Sequence, residues 1–212
     1  MNSKNLMPRR GILEEIGNAV THGIGSIFAI ISLILMLLKS DSTIEIISAI
    51  IYFIGMFMMF TMSCLYHAFK TDSKVKRLFR RFDYLSIYLL IGATYTPILL
   101  CFVKGTLGIL TCCVQWVIIT FGVTMIGLFG PNKNKWIHFT LYIVLGWSGI
   151  IIFPAMIKDL LFFFLILGGG VIYTSGIIPF RMNKKVSHFI WHFFVLFGAV
   201  VQWIGIFVTI YL

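Results

Sequence analysis

Seven long apolar stretches follow one another along this chain of 212 residues, and they constrain its fold more than any other feature. An α-helix of about 20 apolar residues spans the hydrocarbon core of a bilayer. Such a helix also pairs its own backbone polar groups, which lipid cannot do. Only 11% of the residues are charged, whereas soluble domains have about 25%. The predicted spans cover residues 18–38, 44–69, 83–103, 107–129, 136–153, 160–180 and 186–212.

These spans predict an all-α integral membrane protein, a seven-transmembrane helix bundle that passes repeatedly through the cell membrane. The loops between the spans are too short to fold as domains. We therefore divide the chain into a polar N-terminal segment, residues 1–17, and one membrane domain, residues 18–212. The apolar run after the N-terminal segment is too long for the core of a secretory signal, so we expect the first helix to be retained.

The basic residues predict the orientation of the bundle. Of 17 Lys and Arg residues, 14 fall on the side of the N-terminus, and only Lys39, Lys104 and Lys158 fall on the other side. Short loops that are rich in Lys and Arg stay in the cytoplasm. We therefore predict a cytoplasmic N-terminus and, since the number of spans is odd, a C-terminus outside the cell.

Six of the basic residues lie between residues 70 and 81, next to the predicted cytoplasmic surface. Each cation near anionic headgroups contributes about 1 kcal/mol of attraction to the membrane. No aromatic platform for bases accompanies this cluster. We therefore predict contacts with membrane lipids and none with nucleic acid.

His188 and His192 are the most informative polar residues. They lie four residues apart at the start of the last span, which has no Asp, Glu, Lys or Arg from His188 to Leu212. On a helix this spacing places both imidazoles on one face, one turn apart. Ionisable groups in a membrane segment are costly and indicate a functional site by default. For the pair alone, two interpretations stay open: a ligand site, or a hydrogen bond between helices.

The number of spans brings two distant residues to the same side of the membrane as this pair. His67 lies near the cytoplasmic end of the second span, and Asp83 opens the third span from that side. One span more or fewer between His67 and His188 would separate the two histidines by about 30 Å. The topology therefore permits a common site.

Three imidazoles with a carboxylate nearby suit zinc, which binds neutral histidine nitrogens and keeps one position open for water in catalytic sites. We predict that His67, His188 and His192 bind Zn²⁺. Asp83 is either a fourth ligand or, in the interpretation that we favour, a proton acceptor that holds the water by a hydrogen bond. Ser63 lies one turn from His67 on the same face, and we predict a supporting catalytic role for its hydroxyl.

Several of these polar residues also have a purely structural interpretation. Asp83 suits a helix start, where an acid interacts favourably with the helix dipole, and His67 suits the membrane interface. We interpret Glu15 as a solvated acid, with the alternative that it faces the site. His22 and His138 are interpreted as packing histidines that form hydrogen bonds.

Five motifs together resemble the hemolysin III family, the bacterial branch of the progestin and adipoQ receptor family. They occur in the order Glu15-x-x-Asn18-x-x-Thr21-His22, Ser63-x-x-x-His67, Asp83, Thr94-Tyr95-Thr96-Pro97 and His188-x-x-x-His192. The resemblance covers nearly the whole chain. It implies seven helices with a cytoplasmic N-terminus, zinc on His67, His188 and His192, and a water-mediated role for Asp83. The wider superfamily includes alkaline ceramidases, which implies hydrolysis of a lipid amide.

The residues and the resemblance together predict a zinc-dependent hydrolase that acts on a membrane lipid amide or ester at the inner leaflet. The main alternative is a non-catalytic membrane sensor, or receptor-like protein, with a structural zinc. A pore-forming cytolysin is disfavoured, because the apolar helices lack the amphipathic face that a soluble toxin hides before insertion. The sequence leaves the substrate and the oligomeric state open.

Overall fold

The computed structural model describes residues 10–182 and 184–212. Over these residues the chain is helical and contains no strand, and seven segments are long and apolar enough to cross a membrane. The predicted all-α class with seven spans is therefore confirmed. Of the predicted N-terminal segment, residues 1–9 with Lys4 and Arg9 lie outside the described residues.

Eight helices form the described part of the chain. Two of them continue in a π-helical turn, α3 over Ile98–Val103 and α8 over Phe207–Tyr211, and a 3₁₀ segment, Ser148–Ile152, joins α5 to α6. The helices are α1 (Ile12–Lys39), α2 (Thr43–Ala68), α3 (Lys74–Pro97), α4 (Gly105–Phe129), α5 (Lys135–Gly146), α6 (Phe153–Met156), α7 (Leu160–Arg181) and α8 (Ser187–Ile206).

The start of α3 differs most from the prediction. This helix begins at Lys74 instead of at residue 83, because the Ser73 side chain accepts a hydrogen bond from the Lys76 backbone N–H and caps the helix. Lys and Arg are good helix formers, so the polar turns that precede the apolar run are helical as well. Asp83 therefore lies in the third turn of α3, and its interpretation as a residue at a helix start is wrong.

Helix α3 is the centre of the bundle. It packs against α2, α4 and α5, and more of its apolar part is buried than in any other described span. Helix α1 packs between α2 and α8, and α7 packs along α8. The remaining surface is apolar, with exposed side chains such as Ile27, Val117 and Phe164. Such a surface fits contact with lipid tails.

The fifth span is broken near its middle, and Tyr95 of α3 holds the break. The Tyr95 hydroxyl donates to the Gly146 carbonyl oxygen at 2.7 Å and accepts from the Gly149 backbone N–H at 3.0 Å. These backbone groups would otherwise lack a partner where the helix changes from α5 to the 3₁₀ segment.

The contact between α2 and α3 depends on a glycine. A Cβ added at Gly55 would lie 2.2 Å from the Cβ of Ala93 and 2.8 Å from the backbone oxygen of Leu89. We expect Gly55→Ala to lower the stability of the bundle by about 1–3 kcal/mol through overpacking. Thermal unfolding in detergent micelles measures this. Gly127→Ala is the matched control, because a Cβ there meets no heavy atom within 4 Å; equal melting temperatures of the two variants would contradict the packing argument.

The orientation of the bundle stays a prediction that fusion proteins test. We expect alkaline phosphatase, which folds only outside the cytoplasm, to be active when fused after Leu212. When the chain is cut and fused after Lys185, one span earlier, the enzyme should be inactive. The opposite pattern would reverse the predicted orientation.

Candidate metal centre

Three histidines from two distant segments meet at one end of the bundle. His67 lies in the last turn of α2, and His188 and His192 lie in the first two turns of α8. One ring nitrogen from each lies within 4.8 Å of the other two. We call the end of the bundle where these three residues lie the histidine end.

The spacing of the ring nitrogens fits a tetrahedral ion. The Nε2 atoms of His188 and His192 are 3.2 Å apart. Two nitrogens on a tetrahedral zinc at about 2.0–2.1 Å lie roughly 3.3–3.4 Å apart. The same distance also suits a hydrogen bond between the two rings when one of them carries a proton on Nε2.

His67 favours the ion over the hydrogen bond. Its ring is buried, and its Nδ1 lies 2.5 Å from Oε2 of Glu15. Its Nε2 has no hydrogen-bond partner among the described residues. A buried polar atom without a partner is rare and calls for an explanation, and a metal ion shared with His188 and His192 supplies one. The three nitrogens therefore form a donor set that fits a metal such as zinc.

Asp83 approaches this group without joining it. One possible ligand atom from each of the three histidines lies within 4.8 Å of the other two, and Asp83 does not belong to this group. The carboxylate interacts with the imidazole of His67 and with the hydroxyl of Ser63, and Ser63 itself is buried. This arrangement fits the interpretation in which Asp83 acts through a water molecule better than direct ligation.

Glu15 differs from its sequence interpretation. It is only 9% exposed, and its carboxylate bonds to His67 and forms an ion pair with Lys76. The interpretation as a solvated acid is therefore wrong. The spacing of polar residues could have indicated this. Glu15, Asn18 and His22 are separated by three and four residues, and these intervals place them on one face of α1.

His22 packs inside the bundle, as its sequence interpretation predicts, but without the expected hydrogen bond. Its ring is fully buried and stacks on the ring of His192, with the centroids 3.8 Å apart. Neither ring nitrogen has a hydrogen-bond partner among the described residues. By contrast, His138 behaves as predicted: its Nδ1 lies 3.0 Å from the Tyr88 hydroxyl.

Within the cation cluster of residues 70–81, Lys76 does not fit the predicted contact with lipid headgroups. Lys76 is 1% exposed, and its ammonium lies 3.2 Å from Oε1 of Glu15. A charge that is buried in this way cannot reach the membrane surface. Sequence reasoning missed Lys76 because nothing in its local pattern separates it from its exposed neighbours Lys74 and Arg77.

A cavity of about 440 Å³ extends from the histidine end between α3, α5, α7 and α8. Its polar lining includes His22, Ser63, Asp83, His188 and His192, together with Arg10, Lys135, His138 and Arg181. Most of the remaining wall is apolar, with residues such as Leu90, Ile143, Ile177 and Val195. A molecule in this cavity would place a polar group at the histidines and an apolar part along the helices.

Comparison with known proteins connects this arrangement to a described family. Residues 10–203 match the family described as Haemolysin-III related. The chain is 34% identical over 205 residues to Hemolysin-3 of Bacillus cereus, covering 94% of this chain and 93% of the relative. It is 36% identical over 195 residues to a Hemolysin-3 homolog of Bacillus subtilis, with 89% and 90% covered. The human Monocyte to macrophage differentiation factor is 28% identical over 211 residues, with 93% and 85% covered.

We expect His67→Ala, His188→Ala and His192→Ala each to weaken zinc binding, because each substitution removes a ligand. The loss of affinity should exceed the roughly 10–100-fold loss that follows when only a residue bonded to a ligand is removed. The metal content and affinity of the purified protein measure this. His138→Ala is the control, since it removes a buried histidine that bonds to Tyr88 instead. Full zinc content in any of the three variants would remove that residue from the donor set.

Proposed function

This chain belongs to the Haemolysin-III related family, and we propose that it is a zinc-dependent hydrolase of the cell membrane. Its substrate is a membrane lipid with an amide or ester bond, which is cleaved near the inner leaflet. The observation that carries the proposal is the cluster of three histidines, of which His188 and His192 line a mainly apolar cavity together with Asp83.

The donor set supports a catalytic rather than a structural ion. Structural zinc sites are closed by four protein ligands, whereas catalytic sites have three and leave one position open. Here three histidines form the group, and Asp83 stands beside it. When bound, a zinc ion polarises a carbonyl oxygen and lowers the pKa of a water molecule that it holds.

The residues around the ion supply the rest of the hydrolysis. Asp83 accepts a proton from the attacking water, whose oxygen forms a bond to the carbonyl carbon of the lipid. The bond from that carbon to the amide nitrogen or ester oxygen then breaks, and the proton passes from Asp83 to the departing amine or alcohol. The hydroxyl of Ser63, beside Asp83, orients the carboxylate or donates to the carbonyl oxygen.

The cavity suits one lipid chain. Its volume of about 440 Å³ lies within the range of about 300–1,000 Å³ that is typical of ligand pockets. An acyl chain lies against the apolar wall, and the bond to be cleaved lies at the histidine end. The substrate enters sideways from the bilayer, between helices.

The alternative function is a membrane sensor in which zinc only holds α2 and α8 together. One observation favours it: the histidine end joins helices that are far apart in the sequence, and a metal there would stabilise their contact. The word hemolysin in the names of the relatives suggests a third function, lysis of red cells. The apolar outer surface of the bundle argues against a soluble toxin.

Turnover on a panel of lipids distinguishes these functions. We expect purified protein in lipid nanodiscs to release fatty acid from an amide or an ester lipid. Asp83→Asn should lower kcat by about 10²–10⁴-fold, since the proton acceptor is lost, while zinc content stays close to that of the wild type. Asp41→Asn, in the exposed loop between α1 and α2, is the control and should not change kcat.

Two results would overturn the proposal. The first is undiminished turnover in Asp83→Asn, which would remove Asp83 from the reaction. The second is zinc-loaded protein with no turnover that depends on Asp83 on any lipid of the panel, which would favour the sensor. Lysis of red cells by the purified protein without detergent would favour the cytolysin.

A further inference from the structure

A chain of buried contacts runs from Lys76 through Glu15 to His67. The Lys76 ammonium lies 3.2 Å from Oε1 of Glu15, and Oε2 of Glu15 lies 2.5 Å from Nδ1 of His67. The three residues belong to α3, α1 and α2. The reaction described above uses neither Glu15 nor Lys76.

We propose that Glu15 and Lys76 are positioning residues of the metal centre, which present Nε2 of His67 to the ion and keep its ring in place. This inference rests on the proposed metal site but not on turnover. It assigns a role to an acid and a base that sequence reasoning had placed in solvent and at the membrane surface.

The carboxylate decides which nitrogen of His67 carries the proton. An ionised carboxylate only accepts hydrogen bonds, so Nδ1 of His67 has to donate to Glu15. The Nε2 atom is then unprotonated, and its lone pair is free for the ion. Asn18 also approaches Nδ1 through its Nδ2 at 3.3 Å, but Nδ1 cannot accept from Asn18 while it carries the proton that Glu15 binds.

Lys76 keeps Glu15 ionised and in position. A lone buried carboxylate is costly and favours its neutral form, whereas an adjacent ammonium stabilises the charge. The ammonium has three N–H donors. Besides Glu15, its neighbours are the carbonyl oxygens of His67 at 3.4 Å and Phe69 at 3.0 Å. Two donors of Lys76 therefore bond at the C-terminal end of α2, where the carbonyls of a helix lack partners, and the ammonium also forms an ion pair with Glu15.

This arrangement affects the ion as well as the ring. A carboxylate that accepts from the far nitrogen of a histidine makes the ligating nitrogen more basic and fixes its direction, and the loss of such a partner lowers metal affinity by about 10–100-fold. The role therefore predicts a change in metal binding and not only in stability.

The experiment compares Glu15→Gln and Lys76→Met with two neighbouring controls in the full-length protein. Glu14→Gln removes the adjacent acid, and Lys74→Met removes an exposed lysine from the same turn of α3. Zinc affinity is measured by competition with a chelator, and the ligand field is measured by the visible absorption of bound Co²⁺. We expect both test variants to bind zinc about 10–100-fold more weakly with an altered Co²⁺ spectrum, and both controls to match the wild type.

The double variant tests whether Lys76 acts through Glu15. If Lys76 acts through Glu15, either single substitution already breaks the pair. The double variant Glu15→Gln/Lys76→Met should then bind zinc no more weakly than the single variant with the lower zinc affinity. Multiplied losses in the double variant would show that the two residues act separately and would overturn the chain from Lys76 through Glu15. Thermal unfolding of the metal-free variants separates lost affinity from lost folding.

The outcomes distinguish this inference from the proposed function. Wild-type affinity and an unchanged Co²⁺ spectrum in Glu15→Gln would overturn the positioning role and leave the hydrolase proposal intact. Wild-type zinc content without lipid turnover would overturn the hydrolase and leave the positioning role intact. A wild-type protein that binds no zinc would overturn both.

Discussion

The histidine end depends on the contact between the carboxylate of Glu15 and the ring of His67. Polar groups away from water have to pair with one another, and this pair joins α1 to α2 at the point where α2 ends. It occupies Nδ1 of His67, and Nε2 has no hydrogen-bond partner among the described residues. The two histidines of α8 both approach the ring of His67, because their spacing places both of their rings on one face. A change at this contact would affect every other group at the histidine end.

Burial of charge shapes the surroundings of this contact. A buried ion pair contributes little net stability, because the cost of removing two charges from water approaches the gain from their attraction. The pair of Glu15 and Lys76 is therefore weak evidence for stability, which agrees with the positioning role that we propose for it. Asp83 lies on the central helix α3, and its carboxylate interacts with the hydroxyl of Ser63 on α2. Residues at the break in the fifth span, Tyr95, Gly146 and Trp147, line the cavity.

Much of the architecture was predictable because it follows from local periodicity. Seven apolar stretches predicted seven helices, and the spacing of His188 and His192 predicted a shared face. The odd number of spans allowed His67 to reach the same end, and the structure places it there. The start of α3 was predicted nine residues too late, because the polar turns that precede the span carry no apolar signal. That error gave Asp83 its wrong interpretation as a residue at a helix start.

The sequence by itself determined the number of spans, the apolar exterior and the side of the bundle on which each polar residue lies, because these depend on hydropathy and on counting. Only the tertiary structure decided which polar residues touch. Glu15, His22 and Lys76 resemble ordinary surface or packing residues in the sequence. Their burial follows from how α1, α2, α3 and α8 are rotated against one another. That rotation is set by side-chain packing between distant segments, which no local pattern records.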